Sequence, residues 1–181
     1  MTNFNRYLKW LVYAVFFSFI AIFHSSFISA LPPFFSAINL SLILLFFVLL
    51  FIDLNTALIT SILLGFWLDI LSFSFFGLNS IALFTSIAAV NFLLINWLTN
   101  RSLYSFLALS IIGTVVYNFL FYLLLFFWQG GVAGNTFFLF SASFWISLLR
   151  QIMWSAIFMI VFFNLANSLS KSLKPFFLEK K

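Results

Sequence analysis

Asp53, Asp69 and Arg150 bring ionisable side chains into or beside the long apolar stretches of this sequence, as does a lone His24. An ionised group at the centre of a lipid-embedded helix costs about +2.5–3.5 kcal/mol on insertion scales, so each must be held by something. Asp69 ends the run Gly65-Phe66-Trp67-Leu68-Asp69. Gly65 and Asp69 are i, i+4 neighbours on one helical face, and a glycine there lets a second backbone come close. The carboxylate can then cap or bridge that neighbour, reach interfacial water, or serve substrate or proton chemistry. Ser72 and Gly77-Leu78-Asn79 mark a short turn directly after it. Arg150 lies about nine residues into the last apolar stretch, at a depth comparable to Asp69. This raises an Asp69–Arg150 pair or a shared polar network. The alternative is that Arg150 snorkels to the headgroups alone.

Neutral polar residues add stripes at helical spacing. Ser143, Ser147, Gln151 and Trp154 share one face beside Arg150, and Ala82, Ser86 and Ala89 another. Ser110, Gly113 and Tyr117 form a third, with Asn118 adjacent. Small and hydroxyl-bearing stripes are the usual contacts between membrane helices, so they read as packing faces before they read as a polar cavity. His24, beside Ser25 and Ser26, reads as a hydrogen-bonded interface residue. Asp53, followed by Asn55 and Thr56, looks like a helix N-cap. No two carboxylates share a stretch, so paired acid–base catalysis has no scaffold. There is no Cys and one His, which excludes thiolate zinc sites and multi-His metal sites within the chain. Phosphate-binding, dinucleotide and hydrolase motifs are missing from the sequence. No catalytic residue, metal or cofactor is expected.

The elements that position these residues follow from composition. Of 181 residues, 65% are hydrophobic and 6% charged. A soluble domain is about 45–50% apolar and about 25% charged, so water cannot be the main solvent here and lipid can. A helix crossing about 30 Å of hydrocarbon needs about 20 residues. Breaks in the apolar text give six transmembrane spans in a single domain, at about 8–29, 34–52, 56–71, 79–99, 102–128 and 141–166, with a basic tail over 167–181. Leu31-Pro32-Pro33 separates the first two, and the Gly-rich segment 129–135 separates the last two. With the N-terminus inside, the inner segments hold Arg6, Lys9, Arg101, Lys171, Lys174, Lys180 and Lys181, and the outer loops hold no Lys or Arg. Six crossings return the tail to the cytoplasm, as the positive-inside rule requires. Arg6 and Lys9 before an apolar stretch also fit a signal peptide, but the stretch is long and Ile28 suits a cleavage site poorly. The net charge of +5 is distributed by topology rather than in a patch, so nucleic acid is not an expected partner.

The order Pro32-Pro33, Gly65-x-x-x-Asp69, Ser72, then Gly77-Leu78-Asn79 leading into Ile81-Ala82-Leu83, resembles the bacterial rod shape-determining protein MreD family over about residues 31–99. The resemblance implies an all-α integral membrane protein whose fold is similar to the substrate-binding subunits of energy-coupling-factor transporters. It implies a non-enzymatic scaffold of the elongation complex that guides lateral peptidoglycan synthesis. That scaffold would sit in the bacterial cytoplasmic membrane with both termini cytoplasmic. Its implied partners are MreC, with MreB, RodA and a penicillin-binding transpeptidase as complex members, and the membrane lipids. Gly65, Asp69, Ser72, Gly77, Asn79, Arg150 and Gln151 are the structural or partner-binding candidates. The alternative is a transporter's substrate-binding subunit, with an outer polar pocket near His24, Asp69, Arg150 and Gln151. The family often carries basic residues in its inner turns, and the 53–55 turn here has none.

Overall fold

The computed structural model describes residues 15–72, 75–97, 103–128 and 141–172. Among them are six helices: α1 Val15–Ile28, α2 Leu40–Phe51, α3 Leu54–Leu71, α4 Leu78–Asn96, α5 Leu103–Trp128 and α6 Ala142–Ser172. The helices α3, α4, α5 and the Ala142–Leu165 part of α6 are long and apolar enough to cross a membrane. Helices α1 and α2 are apolar but shorter. This is the architecture of a helical membrane protein. The 129–135 loop and the basic residues Arg6, Lys9, Arg101, Lys174, Lys180 and Lys181 lie outside the described residues.

Burial follows a helical stripe, and the stripe is made of small and polar residues. On α3 the buried positions are Ala57, Thr60, Ser61, Leu64, Gly65, Leu68 and Asp69. On α5 they are Ser105, Leu109, Ser110, Gly113, Thr114, Tyr117 and Asn118. Large apolar side chains such as Ile59, Ile62, Phe66, Ile112 and Phe119 stand outside. Such an arrangement suits lipid, where close backbone approach rather than hydrophobic contrast holds helices together. The stripe expected on α4 and α5 is used this way: the Ser86 hydroxyl donates to the Gly113 carbonyl at 2.8 Å. A Cβ on Gly113 would collide with the Phe46 ring and lie 2.7 Å from Val90, so α2, α4 and α5 meet at this glycine.

Helix α4 lies between α3 and α5, α6 packs on α5, and α2 touches all four. Seven of the twelve residues of α2 are buried, with Leu42, Leu45 and Phe46 at its centre. The expected second span is therefore corrected: its helix starts at Leu40, not near residue 34. Prolines 32 and 33 prevent a helical ladder from forming through this point. Residues 31–38 instead run as successive turns, with Phe35 N–H and Ser36 N–H both donating to Pro32 O. Asn39 then caps α2 by accepting the Leu42 N–H at 3.1 Å. At about 1.5 Å per residue α2 is about 18 Å long, little more than half a bilayer core.

The other boundaries move less. Asp53 caps α3 as expected, accepting the Leu54 N–H at 2.8 Å, which starts that helix at Leu54. Helix α6 continues to Ser172, beyond the expected end near 166. The last turn of α1, His24–Ile28, widens to a π-helix, and the Ser29 N–H closes on His24 O.

Candidate functional site

Two polar groupings lie among the helices. The first joins the end of α3 to the start of α4. Gly77 adopts φ +93°, the left-handed region open to glycine, and turns the chain into α4. This aims the free N–H groups of the first α4 turn at Asp69. One carboxylate oxygen accepts the Asn79 N–H and the Asn79 side-chain amide, each at 2.9 Å. The other accepts the Gly77 N–H at 2.9 Å and the Ser80 hydroxyl at 3.3 Å. A carboxylate at a helix N-terminus satisfies orphan donors and meets the positive end of the helix dipole. Asp69 is 1% exposed, so this capping takes place inside the protein. The close approach depends on Gly65: a Cβ there would lie 2.5 Å from the Ser80 backbone N.

Gly65, Asp69, Gly77 and Asn79 thus converge into one rivet, and Ser80, which the motif reading passed over, completes it. Ser72 sits at the C-terminal end of α3, its hydroxyl donating to Leu68 O at 2.6 Å. Arg150 is not part of this grouping. It is half-buried on α6 and makes no ion pair with a described residue. The expected Asp69–Arg150 pair is corrected on that ground: the carboxylate is taken up by the first turn of α4.

The rivet extends inward. Asn79 accepts the Tyr117 hydroxyl at 2.9 Å, across 38 residues of sequence. Tyr117 also lines the second grouping, an open cavity of about 230 Å³ among α1, the 31–39 segment, α5 and α6. His24, Asn39, Asn118, Ser147 and Gln151 share its wall. Asn118 donates to Gln151 Oε1 at 2.5 Å, tying α5 to α6. His24 Nδ1 is buried without a hydrogen-bond partner among the described residues, which differs from the bonded interface residue read from the sequence. No family model, curated protein or solved structure matches the chain.

Of the four residues expected around an outer polar pocket, His24 and Gln151 line this cavity, while Asp69 and Arg150 do not. The α6 stripe divides as well. Ser147 and Gln151 line the cavity; Trp154 donates its indole N–H to Phe34 O at 2.9 Å and packs on the Phe34 and Phe35 rings. Tyr117 and Asn118 had a visible signal, their place on the polar face of α5. The 36–39 wall had none, because Phe34-Phe35 reads as the start of a span.

Proposed function

We propose that this chain is a non-enzymatic membrane scaffold of the MreD kind, organising lateral peptidoglycan synthesis by binding an MreC-like protein. MreB, RodA and a penicillin-binding transpeptidase are the further members of such a complex. The reading places the chain in a bacterial cytoplasmic membrane, crossing six times with both termini in the cytoplasm.

One observation carries this reading. Four of the residues that bear the resemblance, Gly65, Asp69, Gly77 and Asn79, serve one α3–α4 rivet. A sequence pattern used to rigidify a helical body suits a protein that presents a fixed surface to partners. The test is affinity capture from mild detergent combined with depletion. A single-span MreC-like protein should co-purify, and depleted rod-shaped cells should round up. Capture that recovers neither MreC nor the polymerase complex overturns the proposal.

A further inference from the structure

The cavity beside the rivet has features that helix packing does not require. Trp154, which contacts Phe34, lies at the middle of the apolar Ala142–Leu165 stretch. The turns of residues 31–39 therefore meet α6 near the middle of its apolar stretch rather than at its end. Non-helical backbone at that depth is tolerated where it is buried in protein or lines a polar cavity, because lipid cannot satisfy its N–H and C=O groups. Here it lines one, through Ser36, Ala37, Ile38 and Asn39. Unwound backbone near mid-membrane is also where secondary transporters typically build their substrate sites. On the opposite wall α1 ends in a π-turn, a distortion frequent at functional sites.

The lining defines the chemistry. Among the described residues it offers imidazole, phenol, amide and hydroxyl groups, and no Asp, Glu, Lys or Arg. An ion entering such a site would lose its hydration without a counter-charge. Donors and acceptors remain on offer. His24 Nδ1 has no partner among the described residues, and the Asn118–Gln151 bond uses one polar atom of each amide. Aromatic faces of Tyr117 and Phe121, stacked with centroids 6.0 Å apart, supply an apolar wall. The volume of about 230 Å³ falls below the roughly 300–1,000 Å³ of drug-sized sites. It equals about eight waters at roughly 30 Å³ each.

We propose that this cavity binds a neutral, hydroxyl-rich group the size of one sugar ring, carried on a membrane lipid or free in solution. Hydroxyls would meet His24, Gln151 and the 36–39 wall, and the apolar ring face would lie on the α5 aromatics. The site is independent of the scaffold reading: it would stand if no MreC-like protein were captured, and fall without affecting that capture.

The test uses the full chain in phosphatidylglycerol nanodiscs with and without monoglucosyl diacylglycerol, read by native mass spectrometry. Methyl glucoside is titrated separately by calorimetry. Expected is retention of the glucolipid at least tenfold over phosphatidylglycerol, or saturable methyl glucoside binding; the arm that responds identifies the source. Ser147→Phe should abolish the signal by filling the cavity, since Ser147 bonds only within its own helix turn and to no other element. Ser36→Phe fills the same space from the facing wall, and the lipid-facing Ile157→Phe should leave binding unchanged. Melting temperatures are measured for all three, so that a variant that fails to fold is replaced by the other filling variant. No preference for the glucolipid together with no methyl glucoside binding, which is a cavity holding water only, overturns the proposal. Binding that survives both filling substitutions in folded protein overturns it too.

Discussion

Asp69 and Asn79 are joined by two hydrogen bonds on a single carboxylate oxygen, one from the Asn79 backbone N–H and one from its side-chain amide, both 2.9 Å. The pair spans a helix break, so the end of α3 serves as the cap of α4. Because Asn79 also accepts the Tyr117 hydroxyl, the same bond system reaches α5. Three helices that cross separately are thereby fixed at one end of the bundle.

Removing the carboxylate tests how much this matters. Asp69→Ala strands the buried donors of Asn79 and the half-buried ones of Gly77 and Ser80. Hydrogen bonds to charged groups contribute about 1.5–3 kcal/mol each in soluble proteins, but polar contacts between membrane helices average only about 0.6 kcal/mol. The expected loss is about 2–4 kcal/mol between these limits, measured by denaturant unfolding in detergent micelles. Asp69→Asn keeps the shape and one acceptor, so it should lose roughly half as much. A loss under about 0.5 kcal/mol for Asp69→Ala would mean that water replaces the carboxylate without penalty.

The two buried glycines should respond differently to alanine. At Gly65 the new methyl meets the Ser80 backbone, and a backbone moves only if the helix moves. At Gly113 it meets the ends of the Phe46 and Val90 side chains, which can rotate. Overpacking costs about 1–3 kcal/mol, and Gly65→Ala should lie at the upper end of that range and Gly113→Ala at the lower. Gly77→Ala is strained by backbone conformation instead, since φ is +93°, and should lose about 1–2 kcal/mol. Equal melting temperatures for the Gly65 and Gly113 variants would contradict the close α3–α4 approach.

How much of this was legible in the sequence depended on the kind of information each feature needs. The shared face of Gly65 and Asp69 follows from i, i+4 spacing, and the break at Pro32-Pro33 from proline chemistry, so both could be read. The capping of α4 by Asp69 needs the left-handed turn at Gly77, which brings residues ten apart into contact. Spacing alone left that as one option among three. A shared depth makes an Asp69–Arg150 pair one of two options for Arg150, but depth says nothing of which way a side chain points around its helix. The start of α2 was misplaced because Phe34-Phe35 is as apolar as any span, whereas the decisive residue is Asn39, whose cap fixes the helix start. Hydrophobic contrast was of little use throughout, since lipid-facing and buried positions are both apolar and the buried stripe is marked by Ser, Gly and Thr.

The bond between Asn118 and Gln151 links α5 to α6 next to the cavity. Thr114 and Ser155, one turn deeper, make a longer contact of 3.4 Å. A double-mutant cycle of Asn118→Leu and Gln151→Leu should give a coupling of about 0.6–1.7 kcal/mol, the range found for polar pairs between membrane helices. The cycle of Thr114→Val and Ser155→Ala should give less, because its distance is near the limit of a hydrogen bond. Unfolding in micelles is the measurement. Additive single mutants at 118 and 151 would show that the two amides are solvated independently.

The proposed six-crossing topology makes a prediction that needs no stability measurement. The sequence has no Cys, so single cysteines introduced at chosen points report their own side of the membrane. With basic residues held inside, Cys at 101 and at 176 should resist a membrane-impermeant maleimide in intact cells and react after permeabilisation. Cys at 132, in the Gly-rich segment, should react without it. The same parity puts the α1 end, the α3–α4 turn and the cavity mouth on the outer side. It follows that Ser147→Cys, partway into α6 from that side, should react with a small, water-soluble thiosulfonate from outside. Labelling at 176 in intact cells would remove the odd–even argument. The number of crossings would then have to be odd, with the short α2 the first candidate for a helix that enters without crossing.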